Sequence, residues 1–133
     1  MPFMIKRFLE WIKLKEKLHG NDKWPPPFVS ERDLWWVSFG ENVGSEINGK
    51  SDLFSRPALI LKKLSGSFFL VAPTTSQKKD GTWYTHIIHE NKDMYVCLNQ
   101  IRTLDYRRLS TRLGKIDGND FKKVKKGFEK LYL

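Results

Sequence analysis

From Asp33 to Thr103 every apolar run in this chain is short and is closed by a turn signal. That punctuation is the feature that most limits what the chain can fold into. Leu34-Trp35-Trp36-Val37-Ser38-Phe39 ends at Gly40, and Pro57-Ala58-Leu59-Ile60-Leu61 follows a polar loop from Glu41 to Ser55. Ser65-Gly66 then turns the chain into Phe68-Phe69-Leu70-Val71-Ala72. A second polar loop, Thr74 to Thr82 with Asp80-Gly81 as its turn, leads to Trp83-Tyr84-Thr85-His86-Ile87-Ile88. Asn91-Lys92-Asp93 turns again into Met94 to Leu98, expected to run on as one strand through Gln100-Ile101-Arg102-Thr103. Aromatic and β-branched runs this short, at this spacing, predict a mainly β fold: a small antiparallel barrel.

Helices are expected only at the two ends. Ile5, Phe8, Leu9 and Ile12 stand at helical spacing within Phe3 to His19, predicting an amphipathic helix that lays this side on the barrel or on a second subunit. Gly20-Asn21-Asp22 stops it, and Pro25-Pro26-Pro27 forbids helix through the next stretch. At the other end Phe121, Val124, Phe128 and Leu131 form one apolar stripe, with Lys122, Lys123, Lys125 and Lys126 facing solvent. Asp117 and Asp120 stand at capping-box spacing before it, in a weak version of that motif. Residues 1–30 therefore read as an N-terminal helix with a proline-rich connector, and residues 31–133 as the barrel with its C-terminal helix. The 133-residue length suits one such core and not two.

Charge narrows the partners. Twenty-four Lys and Arg against 15 Asp and Glu leave +9 on the chain, a field that draws polyanions: nucleic acid or an acidic protein. No apolar stretch approaches the length that spans a bilayer, and Lys6, Arg7, Lys13, Lys15 and Lys17 interrupt the N-terminal apolar residues, so neither a membrane nor a secretory signal is expected. The cytoplasm is the expected compartment. Cys97, the single cysteine, sits in an apolar run and reads as a buried, unreactive thiol.

Several chemistries lack their residues. The spacing of His19, His86, His89 and Cys97 does not resemble a metal site, so no metal and no cofactor is expected. There is no glycine-rich phosphate loop ending in Lys-Ser/Thr, and nothing nominates a histidine held by an acid for a nucleophilic triad. What remains is arginine, threonine and glutamate on polar loops beside strand ends. Such residues suffice to break RNA, because the substrate supplies its own nucleophile, the 2′-hydroxyl. The protein must remove that proton, protonate the leaving 5′-oxygen and hold the extra negative charge on the phosphate. A guanidinium offers a fixed fork of donors for that charge.

The ordered set Asp33-Leu34-Trp35-Trp36-Val37, Glu41-Asn42-Val43-Gly44-Ser45-Glu46 and Arg56-Pro57-Ala58-Leu59-Ile60-Leu61 resembles the opening of MazF/PemK toxins. Val71-Ala72-Pro73-Thr74-Thr75-Ser76, Gln100-Ile101-Arg102-Thr103-Leu104-Asp105, Arg108-Leu109 and the helix near Asp117 continue the resemblance in order. It implies an SH3-like barrel of the CcdB/PemK type and a metal-independent, sequence-selective endoribonuclease acting on single-stranded RNA. It further implies a homodimer and a cognate antitoxin, with DNA contacted only through the antitoxin complex. By the same resemblance Arg56 and Thr75 are catalytic, with Thr74 the fallback for the hydroxyl. Ser45, Glu46, Thr74, Ser76, Lys78, Gln100 and Arg102 are then the substrate-side residues.

Plainer roles compete with each. Arg56 can satisfy a carboxylate at a strand start, Thr75 can bond its own backbone, Glu46 can be a solvated turn acid, and Arg102 can pair with Asp105 or the C-terminal helix. Three other functions also fit: a gyrase-binding toxin of the CcdB kind, an inactive barrel that only binds nucleic acid, and a regulator that binds a protein partner. The chain departs from the family's pattern in the lengthened loop Asn48–Ser55, in Arg32 where a glycine commonly precedes the first strand, and in the N-terminal helix with its three prolines.

Overall fold

The computed structural model describes residues 7–21 and 24–133. Strands β1 (Asp33–Ser38), β2 (Ser55–Lys63), β3 (Phe68–Thr75), β4 (Tyr84–His89), β5 (Lys92–Cys97), β6 (Arg102–Asp105) and β7 (Leu109–Lys115) form one curled antiparallel sheet. Helix α1 (Phe8–His19) precedes it and helix α2 (Gly118–Tyr132) closes the chain. The strand order is β4-β5-β3-β2-β1-β7, with β6 beside β3. Register shifts on β1/β7 and β2/β3 curl the sheet into a half-barrel.

The central strands are apolar on both faces because both faces are covered. Trp35, Val37, Phe39, Ala58, Ile60, Phe69 and Val71 fill one side with Val29, Leu104, Tyr106 and Leu109. Alternate residues Leu34, Leu59 and Ala72 point the other way, joining Ile87, Val96, Leu98 and Ile116 under Phe121 and Val124 of α2. Thus Leu59-Ile60-Leu61 reads as an unbroken run yet serves two cores.

Four expectations need correction. The strand expected to run unbroken from Met94 to Thr103 is interrupted by a 3-10 turn over Leu98–Gln100. Both halves lie against β3: Thr74 and Thr75 pair with Val96 and Tyr95, while Phe68 to Val71 pair with Asp105 to Arg102. The turn absorbs the bend between these two pairings and turns Asn99 and Gln100 toward the sheet's end. Strand β7 was not anticipated: it is a mostly exposed edge strand, so no alternating apolar pattern marks it.

The capping box at α2 is half made. Asp117 accepts from the backbone N–H of Asn119 (3.0 Å) and Asp120 (3.3 Å), but Asp120 does not return the bond and instead accepts from the Ile88 N–H at 3.1 Å. The fourth correction concerns α1, whose apolar side does not lie on the barrel, the first of its two expected seats: Phe8, Leu9 and Ile12 are exposed, and Ile5 lies outside the described residues, as does the helix's expected start at Phe3. The helix docks by Trp11 instead, which is buried. Its indole lies on Gly40, where any Cβ would come within 2.2 Å of the ring, and its centroid is 5.7 Å from that of Phe54. The added helix and the lengthened loop therefore pack as one unit.

Arg32 has φ +78°, a backbone region that favours glycine, which accounts for the glycine common there. Its side chain gives something in return, donating from Nε to the Ile116 carbonyl at 3.0 Å.

Candidate active site

Register brings the two candidate catalytic residues together. Val37 of β1 stands opposite Arg56, and Ala58 opposite Pro73, so the start of β2 lies beside the end of β3. The end of β5 pairs with the start of β4, placing Cys97 opposite Tyr84. These strand ends, the 3-10 turn and the loop after β1 enclose a cleft of about 240 Å³. Ser45, Ile47, Arg56, Thr75, Gln77, Lys79, Tyr84, Cys97, Asn99 and Gln100 line it.

The loop over the cleft is held by side chains. Gln100 accepts from the Ile47 N–H at 3.1 Å and donates to the Ser45 carbonyl at 3.2 Å. Asn42 donates to the carbonyls of Phe39 (3.1 Å) and Ile47 (2.7 Å), and its own N–H reaches Asn48 Oδ1 at 2.6 Å. Gly49 passes so close to Phe54 that a Cβ would lie 1.5 Å from its carbonyl oxygen. Each of these bonds joins residues that a free loop would leave apart.

Arg56 is half-buried, and its Nε donates to the Asn48 carbonyl, not to a carboxylate. That bond fixes the plane of the guanidinium while its terminal nitrogens bond none of the described residues. Burial lowers the Arg56 pKa from its usual range, with Cys97 opposing the shift. A guanidinium stays protonated under ordinary conditions, so the consequence is a cation poorly screened by water. Burial also raises the Cys97 thiol, against the pull of Arg56 and Lys79, which keeps it in the unreactive neutral form at neutral pH.

The two neighbouring threonines differ sharply. Thr74 is 1% exposed and its hydroxyl donates to the Pro57 carbonyl at 2.8 Å, tying β3 to β2. Thr75 lines the cleft, and its Oγ1 accepts from the Gln77 N–H at 3.2 Å, leaving the hydroxyl proton to be donated elsewhere.

Ser45 and Gln100 also line the cleft. Glu46, Ser76, Lys78 and Arg102 do not: Ser76 and Lys78 are exposed beyond it, and Lys79 enters in place of Lys78, its ammonium 5.9 Å from the Tyr84 ring centre. Glu46 accepts from the Val43 N–H at 2.8 Å, closing its own turn, and attracts Arg102 electrostatically. Arg102 has its pKa lowered by burial, against that attraction. The Asp105 carboxylate holds Arg107 at 2.9 Å. Gln77, Lys79, Tyr84 and Asn99 carried no sequence signal that marked them; the polar Asn99-Gln100 pair interrupting an apolar strand is the one trace that could have.

A curled half-barrel whose strand ends gather a guanidinium, a hydroxyl and a lysine into one cleft is a small polyanion-handling barrel. The chain belongs to the family of PemK-like, MazF-like toxins of type II toxin–antitoxin systems, whose sequence profile matches residues 30–132. It is 29% identical over 106 residues to Endoribonuclease EndoA of Bacillus subtilis (strain 168), covering 72% of this chain and 87% of that one. Its fold is similar to that of MazF from Deinococcus radiodurans, with a TM-score of 0.66 at 23% identity over 79% of this chain and 97% of the other. The fold is also similar to that of an endoribonuclease in complex with its cognate antitoxin from a mycobacterial species, with a TM-score of 0.61 at 14% identity over 77% of this chain and 93% of that one. Among the described residues no helix is long and apolar enough to cross a membrane.

Proposed function

We propose that this chain is the toxin of a toxin–antitoxin pair and cuts single-stranded RNA at the Arg56–Thr75 cleft without a metal. The observation that carries this reading is the shared cleft, in which a fixed guanidinium and a hydroxyl with a proton to donate face the same space. The scissile phosphate lies between them. The substrate's 2′-hydroxyl attacks phosphorus, its proton passing to solvent, and the P–O5′ bond breaks. The terminal nitrogens of Arg56 bond the phosphate oxygens as negative charge grows there and hand a proton to the departing 5′-oxygen, and the proton released by the 2′-hydroxyl returns to Arg56 through solvent, restoring the guanidinium. Thr75 adds a further hydrogen bond to the phosphate. The products are a 2′,3′-cyclic phosphate and a 5′-hydroxyl, so no atom is lost or gained across the step.

Ser45 and Gln100 shape the wall on which the neighbouring nucleotide rests, and Glu46, Ser76, Lys78 and Arg102 border the path of the strand outside the cleft. A homodimer acting in the cytoplasm, and an antitoxin that blocks the basic cleft and brings any DNA contact, complete the reading. Incubating the purified protein with RNA in chelator and sequencing the fragment ends tests it. Cuts at one short motif, bearing cyclic-phosphate and 5′-hydroxyl ends, are expected. Intact RNA would return the protein to the rivals: bound with steep salt dependence, it is a nucleic-acid binder; unbound, a gyrase- or partner-binding barrel.

A further inference from the structure

A second pocket, of about 260 Å³, lies where α1 meets the turn between β6 and β7. Trp11, Lys15 and His19 of the helix face Asp105, Arg107 and Arg108 across it. Lys15, Arg107 and Arg108 are three cations against the one carboxylate of Asp105. The arginines are held by several contacts. Arg107 Nε donates to Asp105 at 2.9 Å and its NH1 to the His19 carbonyl at 2.7 Å, which fastens the end of α1. Arg108 NH1 donates to the Ser38 carbonyl at 3.0 Å, and the guanidinium lies 5.5 Å from the centre of the Trp11 ring. Burial, with the charge of Arg102 added and against the pull of Asp105, lowers the Arg108 pKa to about 10. A half-buried cation beside a second cation, with the nearby Asp105 carboxylate already bonded to Arg107, favours the approach of a further anion.

A short stretch of chain runs from the cleft to the pocket. Gln100 belongs to the cleft and Asp105 to the pocket, and Arg102 lies between them on β6. Arg102 interacts electrostatically with both Glu46 of the cleft loop and Arg108 of the pocket. Five residues of extended chain from Gln100 to Asp105 span about 16 Å, a distance of a few nucleotides.

We infer that the pocket between α1 and the β6–β7 turn binds a backbone phosphate of the substrate RNA, a few nucleotides from the cut, through Lys15, Arg107 and Arg108. The inference rests on the RNA reading of the cleft and extends it. The helix that completes the pocket precedes the residues matched by the family profile, so the family match does not supply this subsite. Leu18 and His19 complete the lining, and the pocket's cations are suited to phosphate oxygens, contacts that add affinity and reach, not sequence choice.

The test compares Lys15→Glu with Lys13→Glu in the full chain. Both substitutions change the net charge equally, and Lys13 does not line this pocket. Binding is measured by fluorescence anisotropy with oligoribonucleotides carrying 2′-deoxy at the cut position, one spanning only the cleft and others extended on the 5′ or the 3′ side. Cleavage of the matching all-ribose RNAs is followed in parallel. The expected result is that Lys15→Glu weakens one extended RNA about three- to tenfold, leaves the short one unchanged, and flattens the extended RNA's log–log salt slope by about 0.7, one single-strand phosphate contact. Lys13→Glu should change neither. Equal effects of Lys15→Glu on short and extended RNA, effects no larger than those of Lys13→Glu, or weakening confined to an acidic polypeptide such as the antitoxin would each overturn the inference. If the wild-type protein still cuts RNA, only the subsite falls; if it neither binds nor cuts RNA, the reading of the cleft falls with it.

Discussion

The cleft beside β3 and the pocket beneath α1 are both basic, and they differ in what surrounds the positive charge. In the cleft Arg56 stands with the hydroxyl of Thr75, and its plane is fixed by one backbone carbonyl. Among the described residues lining the pocket with Arg107 and Arg108 none carries a hydroxyl, and both arginines donate to carbonyls that hold α1 and β1 in place. A fixed guanidinium next to a proton donor can respond to charge that develops during a reaction. A cluster of cations used for packing can only attract charge already present. In the proposed reading, this difference separates the cleft, where the chemistry is placed, from the pocket, which only binds.

That separation breaks most visibly at Arg56. Arg56→Ala should slow single-turnover cleavage by about 10²–10³-fold, the scale of losing a principal donor to a transition-state anion, and should leave the melting temperature nearly unchanged. Thr75→Val comes next: losing one hydrogen bond to a charged phosphate should slow cleavage by about 10–10²-fold in the same assay. Thr74→Val inverts the pattern. It strands the Pro57 carbonyl in the core, so urea unfolding should show a loss of about 1–3 kcal/mol while the rate of the folded protein stays within about twofold. Smallest is Leu9→Glu on the exposed face of α1, expected to shift stability by less than about 0.5 kcal/mol. A larger change by the same denaturation would mean that this face is covered in solution.

Two kinds of element were legible in the sequence. Strands β1 to β3 and the stripe of α2 carry their burial locally, the strands as short apolar runs covered on both faces and the helix as a residue every third or fourth position. Elements whose position depends on distant residues were not. Helix α1 shows its most regular apolar stripe to solvent because one indole fits the gap at Gly40 and against Phe54, a match no local pattern records. Strand β7 is polar along its edge, and the 3-10 turn before β6 follows from pairing with β3, which lies some thirty residues away along the chain (about, by register).

The site divides in the same way. Arg56 and Thr75 were nameable only through resemblance, because one arginine and one threonine have no spacing of their own. The register of β3 separates Thr75 from Thr74, and the path of the loop after β3 brings Lys79, not Lys78, to the cleft. Arg102 and Glu46, expected at the substrate, sit beside the cleft and are coupled to each other. These distinctions arise where chain segments meet.

The most direct measurement is a double-mutant cycle on cleavage in chelator, with wild type, Arg56→Ala, Thr75→Val and both together at saturating protein. If the two side chains grip one phosphate, the second loss should matter far less once the first has occurred, and the doubly substituted protein should cut only slightly more slowly than Arg56→Ala. Rates that fall by the full product of the single effects would mean that Arg56 and Thr75 act apart, and the account of a shared cleft would be wrong.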